Sequence, residues 1–279
     1  MKSLSPAKIN LFLEVVEKRQ DGYHNLRTLM CLVSLYDTII LDMKADGIRV
    51  SCDHPRVPED ETNLAYRAAD IFFRSLQQQG NLGITIKKNI PVGGGLGGGS
   101  SNAATVLLEL NRHYDFPFTG EQLHVMGKEL GADVPFFILG KTALATGIGD
   151  ILEVHAGLPP YHVLLVNLGF SVSTAMVFKK VNLGLTKRKK INKNTPFNDT
   201  SSDIQDRLYN DLETVTIAMH PEINMVKRML IESGALGALM TGSGPTVFGL
   251  FSDAGGAERA YGSLTRYSKK QKFLAEIIT

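Results

Sequence analysis

Between Pro91 and Ser101 the chain reads Pro91-Val92-Gly93-Gly94-Gly95-Leu96-Gly97-Gly98-Gly99-Ser100-Ser101, with six glycines in the seven positions from 93 to 99. Glycine admits positive φ and lets peptide N–H groups approach a ligand with no Cβ in the way. The stretch follows a strand pattern and precedes a helix pattern, and a helix N-terminus adds free N–H donors and the positive end of its dipole. Ser100, Ser101 and Asn102 add side-chain donors. Together these residues make a cradle for an anion of several charges, such as a triphosphate.

Three other readings compete. A flexible Gly/Ser linker would not have a strand and a helix tight against both ends. A dinucleotide-binding turn is satisfied formally, because Gly93, Gly95 and Gly98 fit G-x-G-x-x-G. Yet Arg112 to Thr119, about 20 residues on, does not read as the end of a second parallel strand bearing an acid. A nicotinamide-dependent oxidoreductase would rest on that match alone. A Walker A loop fails, since Gly140-Lys141-Thr142 supplies its tail but Pro135 stands where its first glycine belongs. Neither H-R-D nor D-F-G of protein kinases is present.

The elements that position this loop are legible in outline. Ala7 to Val16 alternates as a strand, Asp21-Gly22 reads as a turn, Asn25 to Val33 as extended, and Thr38 to Lys44 and Ile48 to Cys52 as further strands. Thr62-Asn63 caps a helix from Leu64 to about Gln79, and Gly83 to Ile90 is a strand. Ser100 or Ser101 caps the helix after the loop, which runs to about Arg112 with Ala103, Ala104, Leu107, Leu108 and Leu110 on its buried side. Glu121 to Leu130 is a helix stopped by Gly131, and Phe136 to Ala145 is apolar core. Pro159-Pro160 marks a domain boundary. Beyond it lie a strand from His162 to Val166, a short helix opened by Ser173 or Thr174, an amphipathic helix from Glu222 to Ser233, a second glycine-bearing turn within Ala238 to Gly244, and a strand from Thr246 to Phe251. The polar stretch Thr186 to Asp203, with Lys187-Arg188-Lys189-Lys190, reads as a solvated loop, with attraction of an anionic substrate as the alternative. Strands and helices alternate without the regular period of a doubly wound sheet, so the expected class is α+β in two domains.

Bulk properties narrow the partners. The 279 residues are 43% hydrophobic and 21% charged, with a net charge of +2. This is an ordinary globular composition that favours neither nucleic acid nor a membrane surface. No apolar run reaches the ~20 residues of a membrane span, and the first residues lack a signal-peptide pattern. Cys31 and Cys52 make no disulfide framework, and the seven histidines show no metal-ligand spacing. A cytoplasmic location is expected.

Three segments in order resemble the motifs of the GHMP kinases: Ser5-Pro6-Ala7-Lys8-Ile9-Asn10-Leu11, Pro91 to Ala104, and Leu239-Met240-Thr241-Gly242-Ser243-Gly244-Pro245-Thr246-Val247-Phe248. Within that superfamily, Lys18-Arg19-Gln20-Asp21-Gly22-Tyr23-His24, Gly131-Ala132-Asp133-Val134-Pro135-Phe136-Phe137 and Asn210-Asp211-Leu212-Glu213 resemble the branch that acts on a small molecule carrying a cytidine diphosphate group. The resemblance implies a two-domain GHMP kinase fold with the active site in the interdomain cleft. It puts an ATP-binding domain at 1–155 and a C-terminal kinase domain at 156–279. ATP is the implied co-substrate, with Mg²⁺ expected beside it and its protein ligands unknown. The implied state is a monomer or weak homodimer.

Carried over to this chain, the resemblance makes Asp133 the catalytic base and Lys8 its partner, and gives the ATP phosphates to Pro91 through Ser101. Tyr23 and His24 recognise the cytosine, Phe178 stacks on its other face, and Asn10 and Thr174 line the substrate site. The chemistry is coherent: an alcohol needs a carboxylate to take its proton, and an ammonium keeps that carboxylate ionised. Plainer roles stand beside these. Asp133 can cap the next helix, Lys8 can be a solvated strand residue, His24 and Phe178 can be ordinary packing residues, and Gly242-Ser243-Gly244 can be only a tight turn. One departure is Asn102, where many relatives of this type carry Asp after the serine pair.

Overall fold

The structure is a computed structural model that describes residues 1–156, 158–181, 204–264 and 271–278. The basic run from Lys187 to Lys190, with the rest of the expected polar loop at 186–203, lies outside the described residues. In chain order the elements are β1 (Lys2–Lys18), β2 (His24–Asp42), β3 (Ile48–Cys52), α1 (Leu64–Ser75), β4 (Leu82–Lys87), α2 (Gly98–His113), α3 (Gly120–Leu130), α4 (Val134–Leu139), β5 (Ala143–Thr146) and β6 (Ile151–Val154). There follow β7 (His162–Asn167), α5 (Thr174–Lys180), α6 (Ile204–Arg207), β8 (Tyr209–Asn210), α7 (Glu213–Met219), α8 (Glu222–Glu232), β9 (Gly237–Met240), β10 (Val247–Phe251), α9 (Ala254–Ser263) and β11 (Gln271–Ile278). The class is α+β, as the irregular alternation predicts.

The chain packs as two compact units that are interleaved in sequence. One comprises Met1–Ala7, Leu35–Val92 and Gly97–Gly140; the other comprises Lys8–Ser34, Gly93–Leu96 and Lys141–Thr279. Both β1 and β2 contribute residues to each unit.

In the first unit β4 pairs parallel with β3 and antiparallel with the end of β2, Ile39 lying opposite Ile86 and Leu41 opposite Ile84. All four side chains are buried. Helices α1 to α4 supply the rest of this core, with Phe72, Phe73, Leu107 and Phe136 fully enclosed. Alanines at 65, 68, 69, 103 and 104 on the buried faces of α1 and α2 let those two helices pack closely. In the second unit β7 lies between β10 and β11, both antiparallel to it, and β9 pairs with β10. Leu164, Val166, Leu230, Val247 and Phe251 pack together in its core.

Several local expectations shift. β2 is one strand of 19 residues rather than two, because its inward positions continue through Leu35 and Asp37. Asp37 breaks the apolar pattern, but its charge is compensated inside. α1 ends at Ser75, ahead of the polar run Gln77-Gln78-Gln79, which has no apolar face to bury. α2 opens at Gly98, before either serine. Gly97, at φ +71, makes the turn into the helix, and no side chain caps it. Phe136, Phe137, Ala143 and Ala145 are buried as expected, divided between α4 and β5, while Gly140 and Lys141 between the two elements are exposed. The caps of α1 and α5 fall at Asn63 and Ser173, and Thr119 forms a capping box with Gln122 at the start of α3. Cys31 is buried, Cys52 is half-buried, and both are free thiols. Among the described residues no helix is long and apolar enough to cross a membrane.

Candidate active site

The second unit brings parts of all three motifs together. Lys8 lies mid-strand in β1, flanked by the fully buried Ala7 and Ile9, and is itself only 4% exposed. It is therefore not a solvated strand residue. Its ammonium donates to Asn10 Oδ1 at 2.7 Å, since residues two apart on a strand share a face. Its backbone N–H donates to Leu96 O at 3.0 Å, which ties β1 to the glycine loop.

Asn10 is the hub of this arrangement and is 2% exposed. Its Oδ1 also accepts from the Gly242 N–H (3.1 Å) and the Thr241 hydroxyl (3.2 Å), while its Nδ2 donates to Thr28 Oγ1 (2.9 Å). Its own N–H donates to Thr241 Oγ1 at 3.1 Å. Both ends of the amide are thus engaged with protein groups, and its oxygen orients the buried ammonium of Lys8.

The glycine loop meets the third motif backbone to backbone. A Cβ at Gly95 would lie 2.3 Å from Thr241 O, and Gly95 has φ +77, so only glycine fits. The Thr241 hydroxyl is also within 3.3 Å of Gly95 O. Thr241 O in turn accepts from Gly244 N at 3.0 Å, closing the turn. Gly242-Ser243-Gly244 is therefore more than a tight turn: it braces the loop.

Asn210-Asp211-Leu212-Glu213 proves to be the scaffold behind that brace. Asn210 Nδ2 donates to both Met240 O and Gly242 O at 2.8 Å. Asp211 Oδ2 accepts from Val15 N at 2.7 Å beside the parallel β1–β8 pairing, and Glu213 Oε1 accepts from Met240 N at 2.9 Å. No local signal assigns these roles, because every partner is remote in sequence.

The base-recognition candidates also lie in the second unit. Arg19 and Asp21 form an exposed ion pair at 2.9 Å, and Asp21 Oδ1 accepts from the Tyr23 N–H at 3.1 Å, shaping the hairpin between β1 and β2. Tyr23 at its end is 62% exposed. His24 is 7% exposed and stacks on Phe178 of α5, with ring centroids 5.4 Å apart and planes 27° apart. Burial, then the nearby charge of Lys18, hold the His24 imidazole below its ordinary pKa. The ring is therefore neutral at pH 7, with one nitrogen a donor and the other an acceptor. Thr174, at the start of α5, bonds to Ser243 Oγ at 2.8 Å. That contact ties the helix carrying Phe178 to the glycine turn, and the sequence reading gave Ser243 no such part.

The first unit holds Pro91, Val92, Gly97 to Ser101, and Asp133. The sixteen-residue α2 begins at the loop, and the N–H groups of its first turn have no acceptor within the helix. Of the three polar side chains expected to face an anion, two are turned inward. Ser101 is buried with its hydroxyl accepting from Ser5 Oγ at 2.8 Å, and Asn102 Nδ2 donates to Ser5 Oγ and Asp37 Oδ2, both at 3.0 Å. Ser100 stays half-buried. Asp133 is half-buried at the N-cap position of α4, but its side chain makes no capping hydrogen bond there. Capping does not account for it. Among the described residues no three His, Cys, Asp or Glu side chains gather as a cation site.

The family model of the GHMP kinases N terminal domain matches residues 63–141, and that of the GHMP kinases C terminal domain matches residues 195–270. The chain is 46% identical over 260 residues, 93% of each chain, to 4-diphosphocytidyl-2-C-methyl-D-erythritol kinase of Syntrophus aciditrophicus. It is 47% identical over 274 residues, 98% of this chain and 97% of the relative, to the enzyme of that name from Syntrophotalea carbinolica. A crystal structure of 4-(cytidine 5'-diphospho)-2C-methyl-D-erythritol kinase matches with a TM-score of 0.84 at 33% identity, covering 100% of both chains. Mevalonate kinase of Methanococcus jannaschii, at 14% identity and a TM-score of 0.72, shares the fold. Motifs, architecture and sequence agree, and the chain belongs to the GHMP kinases, within them to the family of 4-diphosphocytidyl-2-C-methyl-D-erythritol kinases.

Proposed function

We propose that this chain is an ATP-dependent kinase that phosphorylates the 2-hydroxyl of 4-diphosphocytidyl-2-C-methyl-D-erythritol, giving the 2-phosphate and ADP in the non-mevalonate route to isopentenyl diphosphate. The observation that carries this reading is 46–47% identity over at least 93% of the chain to relatives of that name, with Lys8, the glycine loop and the Tyr23-His24 pair all present.

Phosphoryl transfer asks a protein for positioning and charge neutralisation more than for covalent chemistry. In this reading the backbone N–H groups from Pro91 to Ser101 and the first turn of α2 hold the ATP phosphates. Glycine-only contacts such as Gly95 keep that backbone fixed. Asp133 takes the proton of the 2-hydroxyl as its oxygen bonds to the γ-phosphorus and the bond to the β-phosphate oxygen breaks, releasing ADP. Lys8, oriented by Asn10, supplies positive charge for the developing alkoxide. Neutral His24 offers a donor and an acceptor to the cytosine edge, Tyr23 and Phe178 offer ring faces, and Thr174 contacts the substrate from α5. A magnesium ion brought by ATP would supply positive charge against the phosphates.

The test is coupled ADP release with the diphosphocytidyl substrate beside mevalonate and homoserine. ADP release that depends on the first compound alone supports the reading. Activity confined to mevalonate or homoserine sinks it in favour of a sister kinase. Asp133→Ala should lower turnover by about 10²–10⁴-fold with ATP binding retained, and a near-normal rate would remove Asp133 from its role.

A further inference from the structure

Asp37 has no part in the chemistry described above, yet it is fully buried in the first unit, at 0% exposure. Its carboxylate is completely engaged. Oδ1 accepts from the N–H groups of Asn89 (2.8 Å) and Ile90 (2.9 Å), the two residues that lead into Pro91. Oδ2 accepts from Asn102 Nδ2 (3.0 Å), one turn into α2, and forms an ion pair with Lys88. The Lys88 side chain is 95% buried. Its ammonium packs against the first residue of α2, since a Cβ at Gly98 would lie 3.0 Å from Lys88 Nζ.

A buried ion pair is no more stabilising, as a rule, than well-packed apolar residues of the same volume. Stability alone therefore does not account for a carboxylate at this position. Its four partners fall into two groups: the strand exit at Lys88, Asn89 and Ile90, and the helix entry at Asn102. A single buried side chain fixes the direction of the chain before the glycine-rich segment and the direction of α2 after it. The Asn102 amide uses its other hydrogen on Ser5, whose hydroxyl donates to Ser101, so the first turn of α2 is held from a second side.

We propose that Asp37 is a positioning residue for the ATP phosphates: it sets the aim of the N–H groups at the start of α2 by clamping the strand that enters the loop and the helix that leaves it. This inference rests on the kinase reading and on the assignment of the loop to ATP. It also gives Asn102 a role, which is to carry the clamp into α2 as a neutral donor to Asp37.

The experiment measures KM for ATP, KM for the diphosphocytidyl acceptor and the dissociation constant of a fluorescent ATP analogue. It compares the intact protein with Asp37→Asn and Asn102→Ala, each checked for folding by thermal melting. Asp37→Asn keeps the shape but breaks the ion pair and turns an acceptor into a donor facing Asn102. It should weaken ATP binding about tenfold or more, as a small misplacement of a binding group does, with acceptor KM changed less than about twofold. Asn102→Ala keeps the ion pair and cuts the bonds from α2 to Asp37 and to Ser5, so it should raise ATP KM by about threefold or more and leave acceptor KM in place. If Asp37→Asn does not fold, Asn102→Ala decides alone. Unchanged ATP affinity in the folded variants, or an equal loss for both substrates, overturns the positioning role. Wild-type protein that releases no ADP overturns the kinase reading itself, which separates the two failures.

Discussion

The glycine loop with its brace and the hairpin with α5 are built in opposite ways. At Gly95, Thr241, Gly242 and Gly244 the contacts run between backbones, and a single Cβ at Gly95 would meet a carbonyl oxygen at 2.3 Å. At Tyr23, His24 and Phe178 the contacts run between rings, and one of those rings is mostly in solvent. A triphosphate is the same in every kinase reaction, so its donors can be fixed in advance by the main chain. A base has to be told from other bases, and in the proposed function the side-chain rings, with a neutral imidazole among them, are the groups offered for that choice. The contrast predicts that damage to the first region costs ATP use and stability together, whereas damage to the second costs only the acceptor.

Gly95→Ala is the severest test. The added methyl group must displace the Thr241 backbone, and residue 95 already has φ +77, so ADP release should fall by about 100-fold or more. A variant that keeps its ATP KM would break the contrast at its strongest point. Asn210→Ala comes next. It removes the donors to Met240 O and Gly242 O and leaves buried carbonyls unpaired, for a loss of about 2 kcal/mol in unfolding free energy, read by urea titration, with a rise in ATP KM. Phe178→Ala should raise acceptor KM by about tenfold through lost base stacking and leave ATP KM and the melting temperature near wild type. A matching rise in ATP KM would mean that the two regions are not separable.

The smallest effect is with pH. Burial and Lys18 depress the His24 pKa in the folded state, so the unfolded chain binds a proton there first as pH falls. The stability that His24 contributes is present above the ordinary histidine value of about 6.5 and declines as pH falls below it towards the folded-state value. Acceptor KM should stay flat from pH 8 to about 6.5 and rise only below, while ATP KM stays level. His24→Gln should remove that rise. An acceptor KM that already climbs near pH 7 would show the ring charging there.

The outline of the fold was largely legible because its signals are local. Capping residues Asn63 and Ser173, the stop at Gly131, the alternation in β3 and β4 and the apolar run of β7 depend on neighbours within a few positions, and the structure keeps them. The start of α2 was misread because serine is a good N-cap, yet Gly97 could take a left-handed turn earlier and open the helix without a side-chain cap. β2 runs unbroken through the buried charge of Asp37, whose partners Lys88, Asn89, Ile90 and Asn102 lie outside any local pattern.

By itself the sequence determined a glycine-rich segment that runs into a helix N-terminus, chemistry suited to a polyanion, and the order of its motifs marked the kinase family. Glycine freedom and motif order are properties of the chain as written. Only the tertiary structure decided which polar groups face inward: in the second unit Asn10 holding Lys8 and Asn210 bracing the second glycine turn, and in the first Ser101 and Asn102 turned inward, with Asp37 bonded to Asn102. A buried polar group is tolerated only when its hydrogen bonds are met. The partners that meet them lie as many as 232 residues away, as Gly242 does from Asn10, beyond the reach of any local pattern.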